Sequence, residues 1–415
     1  MTDQAPYRQP PGSGLAPLPL PTGHLPATPA SARRTVRIVA AVLAPAALAT
    51  LLALVAMWPP AIETTPAPDG GQRALATVTA ITEQKCAPGR ASSPPCGTAA
   101  VAVDEGPGRG SPQTVDLPHG PGAPRVAVGD EVVLLYYPNA VPGGREYSVV
   151  DHQRSGGVWL LIALAAAVVL VFGRWRGLTS LAGLLVSFLV LLFFVLPAIL
   201  AGSPPLLVAV VGASAIMFAA LYLTHGFSTQ TSVAVAGTLA SLVVTGVLGA
   251  AFTAILRLTG AGAGDSVYLT LVRGDIDLRG LLLAGIVIGA LGVLDDVTVT
   301  QAATVAELAP GAGSRRGLYA AAIRVGRAHV GSAVNTIVLA YAGAALPLLL
   351  LIAAGSESIG AQLSGEFLAQ EVLRGAVGTI GLVAAVPITT ALAALVADLS
   401  PALRGAGHGR HARHG

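Results

Sequence analysis

Long apolar segments dominate the hydrophobic pattern of the chain. Each approaches the roughly 20 residues that a helix needs to cross the hydrocarbon core of a bilayer. Eight segments show this pattern, at residues 37–58, 158–173, 178–200, 205–224, 230–253, 280–302, 331–353 and 376–397. The pattern predicts an all-α polytopic membrane bundle of about eight transmembrane helices, with residues 37–58 as an anchor and 155–398 as a seven-span block. The alternative for the first segment is a cleaved signal peptide, although its apolar run is long for one.

Residues 59–154 form a polar block between the anchor and the other spans. After a Pro-rich linker it contains short runs that alternate or favour Val and Thr, separated by Gly and Pro clusters. The runs are residues 76–81, 99–103, 114–117, 131–137 and 147–151. This pattern predicts a small all-β module of about five strands, arranged as a compact barrel.

The only cysteines of the chain, Cys86 and Cys96, both fall in this block and flank a loop rich in Pro, Ser and Gly. If the module is extracytoplasmic, a disulfide that closes the loop is the simplest account. Two unpaired thiols are the alternative. A metal site is a weaker one, because two Cys with no nearby His supply too few ligands.

The two ends of the chain are polar and lack helical or strand periodicity. Residues 1–36 are rich in Pro, Ala, Gly and Ser and predict a disordered cytoplasmic tail. Residues 399–415 predict a cytoplasmic basic tail near anionic lipid. Its three histidines, His408, His411 and His414, leave a loose metal site as the alternative.

Arginine placement predicts the orientation of the spans, because cytoplasmic flanks of membrane helices are enriched in basic residues. If the N-terminus is cytoplasmic, four groups of arginines fall on that side, and residues 59–154 fall on the opposite side. The groups are Arg33/Arg34/Arg37, Arg174/Arg176, Arg315/Arg316/Arg324/Arg327 and Arg404/Arg410/Arg413. This predicts a multi-pass protein of the plasma membrane with both termini cytoplasmic and an extracytoplasmic β module.

Composition narrows the functional classes. Apolar residues make up 53% of the chain and charged residues 11%, against about 25% charged in soluble proteins. Two soluble domains are therefore excluded. No basic patch is interleaved with aromatic residues, so we expect no nucleic-acid partner. No P-loop, Gly-x-Ser-x-Gly or His-Glu-x-x-His motif is present, so we expect neither an enzyme nor a bound cofactor.

The most informative polar residues are the adjacent acids Asp295 and Asp296, which lie deep in the segment 280–302. A carboxylate at that depth costs at least a few kcal/mol, about 2.5–3.5 on insertion scales, and should face a partner or a wet cavity. Upstream, Gly285 and Gly289 form a GxxxG pair, which predicts the close approach of another helix.

Topology brings further polar residues to the same cytoplasmic half of the membrane. With the two acids, these are Thr298, Thr300, Asn335, Thr389 and His225. Such oxygen-rich groups suit H⁺, Na⁺ or another hard cation, or a hydrogen-bonding solute. The alternative is structural: an Asp would pair with Arg324 or Arg327, Asn335 would clip two helices together, and the Thr residues would bond their own backbone.

Two segments that hold the acid pair and Asn335, Leu283–Leu308 and Val325–Leu348, resemble the signature segments of YibE/F-like multi-pass membrane proteins. The order of parts is also similar. Gly129-Asp130 leads a strand, and Asp151-His152-Gln153-Arg154 precedes the next span. The resemblance implies a membrane protein of undefined activity, sometimes thought to be a permease. It assigns no ligand residue to this chain.

Together these features favour a secondary permease for a small solute or cation. Its expected partners are the lipid bilayer and the solute, and a homo-oligomer is one possible assembly. The alternative is a non-transporting scaffold or envelope-complex partner that docks through the β module. An inverted repeat would relate spans three to five with spans six to eight, which run in opposite senses, but no residue-level match supports it.

Overall fold

A computed structural model describes residues 29–60, 71–84, 96–120, 122–138, 145–262, 269, 276–354, 360, 364–397 and 399. Most of the predicted N-terminal tail, nearly all of the C-terminal tail and Cys86 lie outside these ranges. Cys96 is the first residue of a strand, and the disulfide between the two cysteines stays a prediction. The predicted tail and the structure differ at one boundary, because the first helix already begins at Pro29.

Each predicted apolar segment lies on helix. The described helices are α1 (Pro29–Ala56), α2 (Ser155–Val190), α3 (Leu196–Leu200), α4 (Pro205–His225), α5 (Thr229–Ile255), α6 (Leu278–Leu308), α7 (Arg315–Ala344), α8 (Leu346–Ala354) and α9 (Glu366–Val396). Helices α7 and α9 begin well before the segments predicted for them. Within the described ranges, six helical stretches are long and apolar enough to cross a membrane, or seven if α7 and α8 form one bent span. The prediction of a polytopic α-helical bundle is confirmed.

A sharp break divides α2. Arg174 has φ 52° and ψ −127°, a conformation outside the helical region, and a side chain on Gly177 would overlap the carbonyl oxygen of Val169. Residues eight apart in a straight helix are separated by about 12 Å along the axis. The chain therefore folds back at Arg174, between the predicted segments 158–173 and 178–200.

The end of this stretch widens into a π-helical turn, Leu191–Val195, before α3. Pro197 explains the turn, because it has no N–H to donate to the carbonyl four residues earlier. On the neighbouring helix, Gly212 packs against this turn. A Cβ atom on Gly212 would lie 2.5 Å from Cγ2 of Val195.

Helices α7 and α8 meet at Ala345 with a bend of 67°. Pro347 lies in the first turn of α8, where its ring cannot continue the hydrogen bonding of α7. The predicted span 331–353 is therefore bent near its middle.

The polar block contains five strands within its described residues. They are β1 (Gln72–Gln84), β2 (Cys96–Glu105), β3 (Pro112–Asp116), β4 (Glu131–Tyr136) and β5 (Tyr147–His152). They form an antiparallel sheet in the order β3-β2-β1-β4-β5. The five predicted runs match these strands, and the prediction of a small β module is confirmed.

The sheet curls so that its two edge strands face each other. Arg145, just before β5, donates from Nε to Asp116 Oδ1 at 2.7 Å and from a terminal nitrogen to the Thr114 carbonyl at 3.0 Å, and both acceptors lie on β3. Alternate residues such as Val101 and Val132 point inward and are fully buried. The result is a five-stranded Greek-key barrel of the OB type, partly open between β3 and β5.

In the helical bundle, α5 and α9 pack antiparallel, and the same type of glycine–threonine contact occurs twice between them. Thr389 of α9 presses on Gly237 of α5, and Thr245 of α5 presses on Gly381 of α9. In each helix the threonine follows the glycine by eight residues. A side chain on either glycine would overlap the partner's hydroxyl, so the two helix backbones approach closely.

Candidate functional site

A cavity of about 750 Å³ opens between the second half of α2, the end of α4 and the middle of α6. Apolar side chains form most of its wall, and seven polar side chains face it. These are Arg176, Ser180 and Ser187 from α2, Thr224 and His225 from α4, and Asp295 and Asp296 from α6. A mostly apolar pocket with a few convergent polar groups is the usual form of a small-molecule site.

The two acids line this cavity from the middle of α6, well before the helix ends at Leu308. Asp295 Oδ1 accepts a hydrogen bond of 2.8 Å from the backbone N–H of Asp296. Four ion pairs occur within the described ranges, and all of them lie elsewhere: Arg145–Asp116, His152–Asp130, Arg154–Asp151 and Arg374–Glu371. In the structure, neither acid is paired with Arg324 or Arg327, so the structural alternative for these acids finds no support.

His225 is the last residue of α4, and Gly226 follows it with a positive φ of 73°. The ring nitrogen Nδ1 of His225 lies 2.8 Å from the Thr224 hydroxyl, which also bonds the Ala220 carbonyl at 2.7 Å. The helix end therefore holds the imidazole beside the cavity. His225 and the acid pair, which are far apart in sequence, are brought together as predicted.

Three polar cavity residues come from α2 and were missed by the sequence analysis as site residues. Arg176, Ser180 and Ser187 lie one, and then about two, helical turns apart, which places them on one face of the helix. Arg176 was interpreted only as a cytoplasmic flank. The spacing of the three residues was the available signal, but it did not show which helices this face meets.

Two close contacts between helices show which lining residues lie at the same level along the cavity. A Cβ atom on Gly183 would lie 3.6 Å from Cα of Ala220, and one on Gly280 would lie 3.2 Å from Pro205 Cδ. Because α4 and α6 run in the same direction, Asp295, fifteen residues after Gly280, lies level with Ala220, fifteen after Pro205. The acid pair therefore lies at the level of Gly183.

The cavity is polarised along its length. Arg176 lies about 10 Å from the Gly183 level, and His225 about 8 Å from the Ala220 level, at 1.5 Å per residue. Both lie on the side where α4 ends, so the basic groups line one end of the cavity and the acids lie nearer its middle. Beyond the acids the wall is apolar apart from Ser187, and is formed by Leu191, Ile216, Met217, Ile288 and Leu291.

Thr298 and Thr389 lie outside this cavity, in a buried layer between α5, α6, α7 and α9. The Thr298 hydroxyl oxygen is 2.7 Å from that of Thr238. In the same layer, Gln301 donates to the Thr390 hydroxyl at 2.7 Å and to the Ala322 carbonyl at 3.1 Å. Thr389 is fully buried against Gly237. These contacts join helices.

Thr300 and Asn335 are exposed on the surfaces of α6 and α7, and neither lines the cavity. The predicted convergence of polar residues therefore divides into three groups. His225 and the acid pair share the cavity, Thr298 and Thr389 join helices, and the other two residues face away from both.

The chain is a polytopic α-helical membrane protein, because it forms a bundle of several long apolar helices. One of them carries two adjacent acids near its middle. The model of the YibE/F-like protein family matches residues 161–399, more than half of the chain. The chain therefore belongs to the YibE/F-like family, as its signature segments suggested. A search of curated proteins and a search of solved structures each found no match.

Proposed function

We propose that the protein is a secondary permease of the plasma membrane, and that the cavity holding Asp295 and Asp296 is its solute- or cation-binding site. The supporting observation is that two acids, neither of them in an ion pair with any residue the structure describes, line a mostly apolar cavity of about 750 Å³ between apolar helices. Carboxylates at membrane depth are rare and commonly mark ion or substrate pathways.

The proposed topology has eight spans, with both termini cytoplasmic and the β module extracytoplasmic. The stretch Ser155–Leu200 has 46 residues, about 69 Å of helix at 1.5 Å per residue, over twice the hydrocarbon thickness. The reversal at Arg174 supports two spans here, with Arg174 and Arg176 at a cytoplasmic turn. The bent pair α7 and α8 would supply another span.

The mechanism we propose is alternating access. One acid releases its proton or cation when solute enters from the cytoplasmic mouth, and the helices then rearrange to open the opposite side. The two contacts Gly237–Thr389 and Gly381–Thr245 relate α5 and α9 symmetrically in opposite directions. This supports the proposal, because transporters are often built from inverted repeats. In the proposed repeat, α5 and α9 are the last spans of the two halves.

The correspondence extends along both helices. When Gly237 is aligned with Gly381, the buried faces of α5 and α9 coincide. Val233, Ala234, Thr238, Ser241 and Leu242 then correspond to Val377, Gly378, Leu382, Ala385 and Val386, all of which are buried.

The proposal is tested by thermal stabilisation of the purified protein across pH and with candidate cations. We expect stabilisation that depends on pH or on one cation, and we expect it to be lost in Asp295→Asn or Asp296→Asn while the protein still folds. Glu307→Gln, an exposed acid of the same helix outside the cavity, is the matched control. Stabilisation that is equal in the wild type and both cavity variants contradicts the proposal.

A second candidate function is a non-transporting scaffold that docks through the β module. The observation that favours it is that the β module has a hydrophobic core of its own, formed without any residue of the helices. A docking protein would tolerate both Asp→Asn changes and lose its cellular role when residues 72–154 are deleted. A permease would show the opposite pattern for the two acids.

A further inference from the structure

We propose that the solute of this site is an apolar zwitterion, a molecule with a free amino group, a free carboxyl group and an apolar portion, such as an apolar amino acid or short peptide. This inference rests on the proposed permease function and adds the substrate class. It follows from the size of the cavity and from the order of charges along it.

Size argues against a bare inorganic ion as the only occupant. The cavity has a volume of about 750 Å³, and pockets of about 300–1,000 Å³ are typical of sites for organic molecules. The Na⁺ or H⁺ sites of membrane proteins need only a few oxygen ligands around one point. Here the polar side chains are spread over more than three turns of α2, from Arg176 to Ser187.

The order of charges argues for a solute with both signs. The backbone of Arg176 lies at one end of the cavity, and Asp295 and Asp296 lie about 10 Å along it, at the Gly183 level. Within the described residues, none of these three groups is in an ion pair with another. A ligand ammonium can therefore meet the acids while its carboxylate meets Arg176.

The span between the charges also sets the length of the solute. An extended peptide spans at most about 3.3–3.6 Å per residue, so a tripeptide bridges the distance directly and a dipeptide, at about 7 Å, requires a small inward movement of the Arg176 side chain. A single amino acid requires the flexible Arg176 side chain to reach inward, which its length allows.

The inner end of the cavity supplies the apolar part of the site. Beyond the acids the wall contains Leu191, Ile216, Met217, Ile288 and Leu291 and no charged side chain among its lining residues. With its ammonium at the acids, a bound solute would place an apolar side chain against this wall. Ser187 lies alongside, where it can accept a hydrogen bond from the ammonium or donate one to a peptide carbonyl.

The test compares four small molecules by their effect on the Tm of the full-length purified protein. Leucine and dileucine carry both charges, leucine amide carries only the positive charge, and N-acetyl-leucine carries only the negative charge. We expect a zwitterion to raise Tm by about 2–5 °C at saturation and both capped compounds to raise it less.

Variants connect each charge of the ligand with its partner. In Arg176→Gln, leucine amide should stabilise as well as the zwitterions do. In Asp296→Asn, N-acetyl-leucine should stabilise the protein as well as the zwitterions do. Arg324→Gln, an exposed arginine of α7 outside the cavity, should keep the wild-type preference. For each cavity variant, the Tm with ligand is compared with the Tm of the same variant without ligand. A general loss of stability therefore does not mimic a loss of ligand binding.

Equal stabilisation of the wild type by zwitterions and capped compounds, or no stabilisation by any of the four, would overturn this inference. The proposed function is decided separately, by the cation and pH dependence of the wild type against Asp295→Asn. A protein that responds to cations through its acids but not to zwitterions remains a permease with a different solute.

Discussion

The hydroxyl oxygen of Thr298 lies 2.7 Å from that of Thr238, so a buried hydrogen bond joins α6 to α5. Thr298 follows Asp295 by only three residues, and its hydroxyl also bonds the Asp295 carbonyl at 3.1 Å. The contact therefore fixes the turn of α6 that presents the acid pair to the cavity. Within this turn of α6, Thr298 joins two helices, whereas Asp295 and Asp296 face the proposed site.

Replacing Thr298 with Val should lower stability without removing ligand recognition. The change removes one interhelical hydrogen bond, worth about 0.6–1.5 kcal/mol, while Thr238 keeps its bond to the Ala234 carbonyl. Chemical or thermal denaturation in detergent measures the loss. Thr300→Val, on the exposed face of α6, is the control and should leave stability nearly unchanged. A Thr298→Val protein as stable as the control would show that the contact is dispensable.

The glycine–threonine contact between α5 and α9 predicts a strong effect from one added methyl group. Gly381→Ala should destabilise the protein by about 1–3 kcal/mol, because the new Cβ meets the Thr245 hydroxyl. Adding Thr245→Ala should recover much of that loss, since the next atom of Thr245, its Cβ, is 3.3 Å away. A double-mutant cycle measures this coupling.

The control for this cycle is Gly285→Ala, at a position with nothing within 4 Å. It should be neutral or slightly stabilising. If Gly381→Ala behaves like Gly285→Ala, the two helices do not pack as described.

Glu366 ties the first turn of α9 to the chain that follows α5. One carboxylate oxygen accepts hydrogen bonds from the Thr259 backbone N–H at 2.6 Å, the Thr259 hydroxyl at 2.7 Å and the Gly260 N–H at 2.9 Å. Glu366→Ala should cost about 1–3 kcal/mol, because these three donors and the side-chain amide of Gln370, which donates to the same oxygen at 3.0 Å, lose a charged acceptor. Glu366→Gln should cost less, since its amide oxygen still accepts. Equal stability of all three proteins in denaturation would contradict this role.

The junction between the β module and α2 predicts a pH effect. A hydrogen bond from Arg154 lowers the pKa of Asp151, and the backbone N–H of His152 adds to this. A carboxyl whose pKa is lower in the folded state stabilises the fold above its unfolded pKa. That contribution is lost as the pH falls through the folded value.

Stability should therefore fall less on acidification in Asp151→Asn than in the wild type, and the difference should be small because the ion pair is exposed. Tm measured from neutral to acidic pH checks this. Glu105→Gln, an exposed acid at the end of β2, serves as the control. An identical pH profile for the wild type and Asp151→Asn would mean that the pair adds nothing to the fold.

The strands and helices could be predicted because their signals are local. Alternation marked the strands, as in β4, where Val132 and Leu134 are buried, and continuous apolar runs marked the helices. The acid pair was recognisable because two carboxylates in the middle of an apolar segment are costly wherever the neighbouring helices lie. These predictions needed no knowledge of which helices are neighbours.

Packing between helices could not be read from the sequence in the same way. The GxxxG pair predicted a close approach at Gly285 and Gly289, yet Gly285 has nothing within 4 Å, and Gly289 meets only the Tyr341 hydroxyl. The tightest approaches occur at Gly237 and Gly381 instead. A small residue permits contact, but the faces that meet are decided by the whole bundle. For the same reason Arg176 was not recognised as part of the site.

If the protein is a permease, water must reach the acid pair from the cytoplasmic side, and the reactivity of a cysteine at position 187 shows whether it does. Ser187→Cys, in a protein whose two native cysteines are replaced by Ser, is exposed to a membrane-impermeant thiol reagent in inside-out and right-side-out vesicles. Val243→Cys, on the exposed outer face of α5, controls for reaction through lipid.

For a permease, we expect Ser187→Cys to react in inside-out vesicles and a bound solute to slow that reaction. Val243→Cys should not react in either orientation. If Ser187→Cys does not react from either side of the membrane, no wet cavity reaches the acids, and the permease proposal is contradicted.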